Sequence, residues 1–390
     1  MQEKLLNFIS AHEDDIINLA QRLVRTKTVH GNEAAAAKIV KQELKKYGIN
    51  SLLQGPEKDR KNLTASIKGK RKGKTLLLNA HTDTVPPGDP QQWKYPPFSA
   101  KIIGNKLYGR GALDTKGGLS SMVYSFIALK ETKAKFSGEV ILGITYDEES
   151  GTFKGINELL KSIQKPSAAI VGEPVRREGI PIGSRGIYRF KAITTGKAYH
   201  TGMAKPKGFN AVTQMSMFML ALNRMRPHYE KSGIFPPPLI TTGTMIKGGT
   251  GINVIPDYCE ALFDCRLSLG QTRDTLKKDI QKQIDALKKK DKRFNIKIED
   301  LAYASPVITN DKEQIVKKIS KHYGKIMNKK PKLLVTGGST DGNILISAGI
   351  PCVILGPDGG NIHAKNEYVK IKSMIEIAKI YALTAMDFLN

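Results

Sequence analysis

The sequence of 390 residues has few cysteines, which limits the kinds of site and of stabilisation that it can contain. The three cysteines are Cys259, Cys265 and Cys352, and they include no pair with metal-binding spacing. Cys259 and Cys265 fall on one predicted strand, which keeps them too far apart for a disulfide bridge. A reducing compartment fits this cysteine usage.

Long hydrophobic runs are also missing, and none approaches the length that is needed to cross a membrane. The N-terminus carries Glu3, Glu13, Asp14 and Asp15 without an apolar core segment, so it does not predict a signal peptide. We therefore expect a soluble, cytoplasmic protein that has no membrane partner. The length of 390 residues and the 40% of hydrophobic residues provide for cores in two domains.

Acidic residues are scarce, since 36 of them face 62 lysines and arginines, giving a formal net charge of +26. Such a charge raises the alternative of a basic nucleic-acid-binding protein. However, the lysines are dispersed along predicted helix faces and strand ends, and no nucleic-acid-binding motif accompanies them. We therefore interpret them as a solvated surface that attracts anionic substrates, and we predict no nucleic-acid partner.

The most informative stretch is residues 74–85, where an apolar run ends in polar residues that can bind a metal. Residues 76–78 predict a strand buried on both faces, and His81 and Asp83 follow its end. The same pattern recurs where strand 140–145 precedes Asp147, Glu148 and Glu149, strand 168–171 precedes Glu173, and strand 351–355 precedes His363. In an open α/β sheet such residues meet at the carboxyl edge of the strands.

A further candidate ligand, Asp114, lies in a glycine-rich segment that allows tight turns before a predicted helix. Taken singly, each candidate has an ordinary structural interpretation, such as a hydrogen-bonded histidine or a helix cap. Together, two histidines and three carboxylates form the mixed nitrogen and oxygen ligand set that suits zinc or a similar first-row metal. One of the carboxylates can bridge two such ions.

Five segments resemble the signatures of one enzyme family, and they occur in the family's order along nearly the whole chain. They are His81-Thr82-Asp83, the segment around Asp114, residues 147–151, Gly172-Glu173-Pro174 and residues 363–367, with residues 93–98 leading to the second. The family contains acetylornithine deacetylase, succinyl-diaminopimelate desuccinylase and glutamate carboxypeptidase, which are co-catalytic di-zinc amidohydrolases and peptidases. The resemblance implies a hydrolase that cleaves the amide bond of N-acyl amino acids, and a dipeptidase or carboxypeptidase is the alternative.

The resemblance also implies two Zn²⁺ ions per chain, for which Co²⁺ or Mn²⁺ can substitute. Asp114 would bridge the ions, with His81 and Glu173 completing one site and Glu149 and His363 the other. All of these ligands are present in the sequence. A non-catalytic homologue that serves as a scaffold is therefore the less favoured alternative.

Three residues are expected to act beside the metals. Glu148, left unligated, would be the general base that takes a proton from a metal-activated water and passes it to the leaving amine. Asp83 would accept the other N–H of the His81 imidazole. The resemblance implies that His200 binds the scissile carbonyl oxygen, in trans across the two-fold interface of a homodimer.

Substrate contacts follow from the same resemblance, which implies that Asn253 and Arg266 hold a substrate carboxylate, the arginine through its bidentate fork. Gly337, Gly338 and Ser339 lie in a glycine-rich loop that could present backbone N–H groups to a carboxylate. A phosphate-binding loop is the competing interpretation, but the loop lacks the lysine and hydroxyl residue that this motif requires. The loop resembles the deacetylase and desuccinylase branch of the family.

The predicted elements divide the chain into two domains. Up to about residue 174, strands and helices alternate, which predicts an open, doubly wound α/β sheet. The pattern then changes to strand-helix-strand-strand-helix-strand. We therefore predict a catalytic domain formed by residues 1–176 and 305–390, interrupted by an inserted α+β lid or dimerisation domain at residues 177–304.

Overall fold

The computed structural model describes residues 1–29, 31–175, 179–203, 209–231 and 233–390. Tertiary contacts divide these residues into two compact units. The first unit consists of Met1–Gly183, Ile308–Thr336 and Thr340–Asn390, and the second of Ser184–Val307 and Gly337–Ser339. The boundary predicted at residues 176 and 177 lies outside the described residues, and the role of the second unit as a lid or dimerisation domain stays a prediction.

The described helices of eight or more residues, and one shorter helix near the C-terminus, are numbered in chain order. They are α1 (Gln2–Ala11), α2 (Glu13–Arg25), α3 (Glu33–Lys46), α4 (Gly117–Glu131), α5 (Lys154–Ser162), α6 (Ala211–Arg224), α7 (Arg273–Lys290), α8 (Gln314–Met327), α9 (Asp341–Ser347) and α10 (Ile371–Phe388). None of these described helices combines the length and the apolar character that crossing a lipid bilayer requires.

The described strands form several sheets across the two units. They are β1 (Ser51–Glu57), β2 (Arg60–Lys68), β3 (Thr75–His81), β4 (Lys101–Ile103), β5 (Lys106–Tyr108), β6 (Glu139–Thr145), β7 (Ala168–Val171), β8 (Gly179–Ser184), β9 (Gly186–Thr195), β10 (Tyr199–His200), β11 (Leu239–Gly248), β12 (Val254–Ile255), β13 (Tyr258–Leu267), β14 (Ile296–Ala304), β15 (Val307–Ile308), β16 (Lys332–Thr336), β17 (Cys352–Ile354), β18 (Gly359–Gly360) and β19 (Tyr368–Lys370).

The central sheet of the first unit has the strand order β1-β2-β6-β3-β7-β17. Strands β6, β3, β7 and β17 run parallel to one another, while β2 and β1 add an antiparallel edge. Leu76 and Leu78 belong to the main core of the unit, together with the buried helix α4. On the opposite face, Gly143 leaves space that Leu77 and Leu159 of α5 occupy. Both faces of the parallel strands are therefore covered, and the predicted α/β fold class is confirmed.

The second unit has a sheet of its own, in which the antiparallel strands follow the order β11-β13-β9-β14. Phe190 and Phe263 stack with ring centroids 4.6 Å apart, and Phe218 of α6 packs edge-on against Phe263. Helix α7 contributes a row of buried apolar residues to this core. In chain order these elements are β9, α6, β11, β13, α7 and β14.

Candidate metal centre

Parallel strands bring three of the predicted site segments to one edge of the central sheet. His81 is the last residue of β3, Glu148 and Glu149 follow β6, and Glu173 follows β7. Since β6, β3 and β7 are parallel neighbours, their carboxyl ends lie side by side. His363 reaches the same place from the segment between β18 and β19, where its ring contacts Glu149.

Asp114 lies between the two histidines and presents one carboxylate oxygen to each. Its Oδ1 is 3.0 Å from Nε2 of His81, and its Oδ2 is 3.1 Å from Nε2 of His363. A second carboxylate stands beside each histidine: Glu173 Oε1 is 3.3 Å from His81 Nε2, and Glu149 Oε1 is 3.1 Å from His363 Nε2. The structure thus brings the five predicted ligands together, and their metal binding stays a prediction.

Glu148 lies inside the same cluster. Ligand atoms of His81, Glu148 and Glu173 all lie within 4.8 Å of one another, as do those of His81, Asp114 and Glu149. Distance alone therefore does not separate the predicted base from a ligand. Glu148 is only 8% exposed, so a proton on its carboxylate is shielded from bulk water.

Burial, repulsion between neighbouring carboxylates and hydrogen bonds raise the pKa values of several groups in this cluster. Burial, followed by the negative charge of Glu173, raises the pKa of Glu148 well above its usual range. Burial and the charge of Asp114 raise the pKa of Glu173 to about 8. Hydrogen bonds with Asp114 and Glu149 raise the pKa of His363 to about 10. Divalent cations would replace these protons and offset the same negative charge.

The donor set fits two divalent cations. The cluster contains more carboxylates than imidazoles: Asp83, Asp114, Glu148, Glu149 and Glu173 surround His81 and His363. Glu173 Oε1 is buried and accepts no hydrogen bond from the described part of the chain, and the imidazole Nε2 of His81 lies 3.3 Å away. Ionising such a buried carboxyl group is costly unless a cation contacts it, which agrees with the raised pKa of Glu173. Mixed imidazole and carboxylate ligands suit zinc and similar metals.

Asp83 orders the segment that carries Glu148 and Glu149. Its Oδ1 accepts the backbone N–H of Glu148 at 3.2 Å, and its Oδ2 accepts that of Glu149 at 2.9 Å. His81 Nδ1 is 3.0 Å from the carbonyl oxygen of Asp83 and 3.4 Å from Oδ1. Burial alone would raise the pKa of Asp83, but the contact with His81 and the two N–H groups hold it below its usual value. Asp83 therefore leaves Nε2 of His81 directed towards Asp114.

Two arginines near the site did not emerge from the sequence. Arg60, on the antiparallel strand β2, contacts Asp147 at 2.5 Å and the buried Glu33 at 3.1 Å. Arg110 is buried against Glu367. Glu367 is the last residue of the motif that begins at His363, and only this position in the motif indicates from the sequence that Glu367 lies near the site.

The second unit contains the remaining predicted site residues. His200 lies at the end of β10, which pairs with β12, and its exposed ring accepts the backbone N–H of Gly202 at 3.1 Å. The carbonyl oxygen of Asn253 accepts the backbone N–H of Thr201 at 3.0 Å. Asn253, which precedes β12, and His200 are thus neighbours beside one small two-stranded antiparallel sheet. Their contacts with substrate stay predictions.

Arg266 and the glycine-rich loop also belong to the second unit. Arg266 Nε donates to Asp264 Oδ1 at 2.6 Å, and its Nη2 donates to Oδ2 at 3.3 Å. This edge of the guanidinium is occupied, so a bidentate grip on substrate would use its other edge. Ser339 Oγ donates to the carbonyl oxygen of Arg185 at 2.7 Å. Apart from adjacent residues in the chain, no atom of the described residues lies within 4 Å of the point where a Cβ of Gly337 or Gly338 would lie, and the contact of this loop with a substrate carboxylate stays a prediction.

Comparisons with known proteins agree on one family. A profile of Peptidase family M20/M25/M40 matches residues 77–387. Succinyl-diaminopimelate desuccinylase of Blochmanniella pennsylvanica (strain BPEN) is 30% identical over 389 residues, which cover 96% of this chain and 98% of that protein.

Two solved structures have a similar fold. The M20 family metallo-carboxypeptidase Sso-CP2 from Sulfolobus solfataricus superposes with a TM-score of 0.78 at 20% identity, covering 95% of this chain and 98% of the other. A dinuclear metal-binding peptidase of the M20 family from Bacillus subtilis superposes with a TM-score of 0.73 at 17% identity, covering 97% and 99%.

Proposed function

The chain belongs to Peptidase family M20/M25/M40 and is a hydrolase of amide bonds, and we propose that it deacylates N-acyl amino acids, as a desuccinylase or deacetylase does. The resemblance predicted from the sequence motifs is thereby confirmed at the level of the family. The family is established by these matches, whereas the N-acyl amino acid substrate is our proposal. The observation that supports it best is the carboxylate of Asp114, whose two oxygens lie 3.0 and 3.1 Å from His81 and His363.

We propose that two zinc ions occupy this centre, with Co²⁺ and Mn²⁺ as substitutes. Asp114 would contact both ions, His81 and Glu173 would hold one, and Glu149 and His363 would hold the other. When bound, such ions polarise an amide carbonyl and lower the pKa of water to near neutrality.

Glu148 would carry out the proton transfers. Its carboxylate would take a proton from the attacking water and deliver it to the nitrogen of the leaving amine. Burial raises the pKa of this carboxyl group, which suits a residue that must both accept and return a proton near neutral pH. Asp83 would keep Glu148 in place through the hydrogen bond to its backbone N–H.

Residues of the second unit would bind the substrate. His200 would donate a hydrogen bond to the developing oxyanion, and Asn253, Arg266 and the loop Gly337–Ser339 would hold the substrate carboxylate. We propose a homodimer in which each chain lends its His200 to the neighbour. We also propose a cytoplasmic location.

Peptide hydrolysis is the second candidate activity, because cleavage of a peptide and deacylation break the same kind of bond by the same chemistry. Both solved structures described above are peptidases, although at this identity they show only the fold. The relative that is 30% identical over nearly its full length is a desuccinylase, which favours deacylation.

A substrate panel tests the proposal. Zinc-loaded protein would be assayed against N-succinyl-diaminopimelate, N-acetylornithine, other N-acyl amino acids, dipeptides and tripeptides. The proposal expects the highest kcat/KM for an N-acyl amino acid. Faster cleavage of a peptide would establish the second candidate, and no hydrolysis of any compound by fully loaded protein would contradict both.

A further inference from the structure

Glu367 is fully buried, and its carboxylate binds the backbone of the segment that carries Asp114. Oε1 accepts the N–H groups of Leu113 at 2.9 Å and Asp114 at 3.0 Å, and Oε2 accepts that of Gly111 at 3.2 Å. The carbonyl oxygen of Glu367 accepts the N–H of Gly109 at 2.9 Å, beside the pairing of β19 with β5. One carboxylate thus holds the backbone from Gly111 to Asp114 through three hydrogen bonds.

Arg110 connects this carboxylate to the segment of His363. It is only 2% exposed; Nη1 pairs with Glu367, and Nη2 donates to the carbonyl oxygen of His363 at 3.1 Å. The guanidinium lies 5.3 Å from the ring of Trp93. A single planar group therefore contacts both segments at once, which its fork of donors permits.

His363 depends on such a contact more than the other candidate ligands do. Its φ of 58° lies in the left-handed region, which is unfavourable for a residue with a Cβ and must be held by other contacts. Its side chain is 48% exposed, whereas that of His81 is 1% exposed and lies at the end of a central strand. Packing therefore holds His81, while the bond from Arg110 to the carbonyl oxygen helps to hold His363.

We propose that Arg110 and Glu367 form a brace that positions Asp114 and His363 for the second metal ion. The inference rests on the proposed two-ion centre and adds positioning residues that do not themselves touch the ions. Loss of the brace should weaken the ion at Glu149 and His363 more than the ion at His81 and Glu173. His81 is the last residue of β3 and Glu173 lies two residues after β7, and neither accepts or donates one of the hydrogen bonds described for the brace.

Calorimetric titration of chelator-treated protein with Zn²⁺ tests this asymmetry. Glu367→Gln keeps the size of the side chain but turns an amide N–H₂ towards donors. Arg110→Lys keeps the charge, and one ammonium group cannot replace the fork between Glu367 and His363. The Arg110→Lys variant also provides the test if the Glu367→Gln variant fails to fold. Both variants should bind one ion as the wild type does and the second about 10–100-fold more weakly.

Glu43→Gln is the matched control. Glu43 is 2% exposed and pairs with Arg22 at 2.5 Å and Lys46 at 2.9 Å, and neither partner belongs to the cluster of candidate ligands. This variant should lower the melting temperature and leave both zinc affinities unchanged. It separates loss of a buried ion pair in general from loss of the brace.

The titrations distinguish a brace that positions the second ion from a general structural role of Arg110 and Glu367. Wild-type affinity for the second ion in both brace variants would overturn the brace while leaving the proposed function intact. Equal loss of both ions would show a general structural role and would also overturn it. A wild-type protein that binds fewer than two ions would contradict the proposed function, and the brace with it.

Discussion

Replacing Glu148 with glutamine should abolish most turnover without removing a metal ion. The side chain is 8% exposed and its backbone N–H donates to Asp83, a bond that the substitution leaves in place. Glutamine has nearly the same shape, so the change removes the proton acceptor and little else. General acid-base catalysis contributes typically about 10²–10⁴-fold, or about 2.7–5.4 kcal/mol in the barrier. Since Glu148 would serve both proton transfers, we expect a loss near the upper end.

The assay measures kcat, KM and zinc content for Glu148→Gln beside Glu149→Gln. Glu149 contacts His363 at 3.1 Å, so its variant should lose an ion together with turnover. Glu148→Gln should keep both ions and change kcat far more than KM. Turnover within a few-fold of the wild type would refute the base. Loss of an ion would show that Glu148, whose carboxylate lies within 4.8 Å of the ligand atoms of His81 and Glu173, is a ligand.

Four further predictions concern the bridge, the stability, the surface and the dimer. Asp114→Ala should weaken both ions, since its oxygens face both histidines; elemental analysis that finds one tight ion would contradict a bridge. Burial alone would raise the pKa of Asp387, but hydrogen bonds from two lysines and His322 hold it below its usual value. Its stabilisation is therefore present above the unfolded value of about 3.9 and is lost as pH falls below that. Asp387→Asn should then lower the free energy of unfolding more at pH 7 than at pH 3, and an equal effect at both would refute this. Nucleic-acid binding should be weak and disappear at moderate salt, and tight sequence-dependent binding would favour the nucleic-acid alternative. A heterodimer of His200→Ala with Glu148→Gln chains should regain one working site, and persistent inactivity would exclude action in trans.

The candidate ligands could be predicted because they follow buried parallel strands. The run at residues 76–78 is apolar on both faces, as a central strand covered on both sides requires, and polar residues begin where it ends. The positions of His81, Glu149 and Glu173 at one sheet edge then follow from strand direction. His363 needed the resemblance to a family, because it comes from an irregular segment rather than a strand end.

Other features leave no periodic signal in the sequence. Helix α1 spans only Gln2–Ala11, and its apolar residues Leu5, Leu6, Phe8 and Ile9 occupy too short a stretch to be separated from a strand by sequence pattern. Arg110 and Glu367 are 257 residues apart in the chain, and ion pairs at such a separation are created by the fold. Arg60 contacts Asp147 from strand β2, which pairs antiparallel with β6. The alternation of strands and helices in the sequence does not indicate this antiparallel edge.

The central claim is that Asp114 lies between two metal ions. Anomalous diffraction at the zinc edge, from crystals of active zinc-loaded protein, tests it most directly. We predict two peaks about 3.5–4 Å apart, one beside His81 and Glu173 and the other beside Glu149 and His363, with Asp114 contacting both. A single peak in fully active protein, or two peaks that do not share Asp114, would contradict the account.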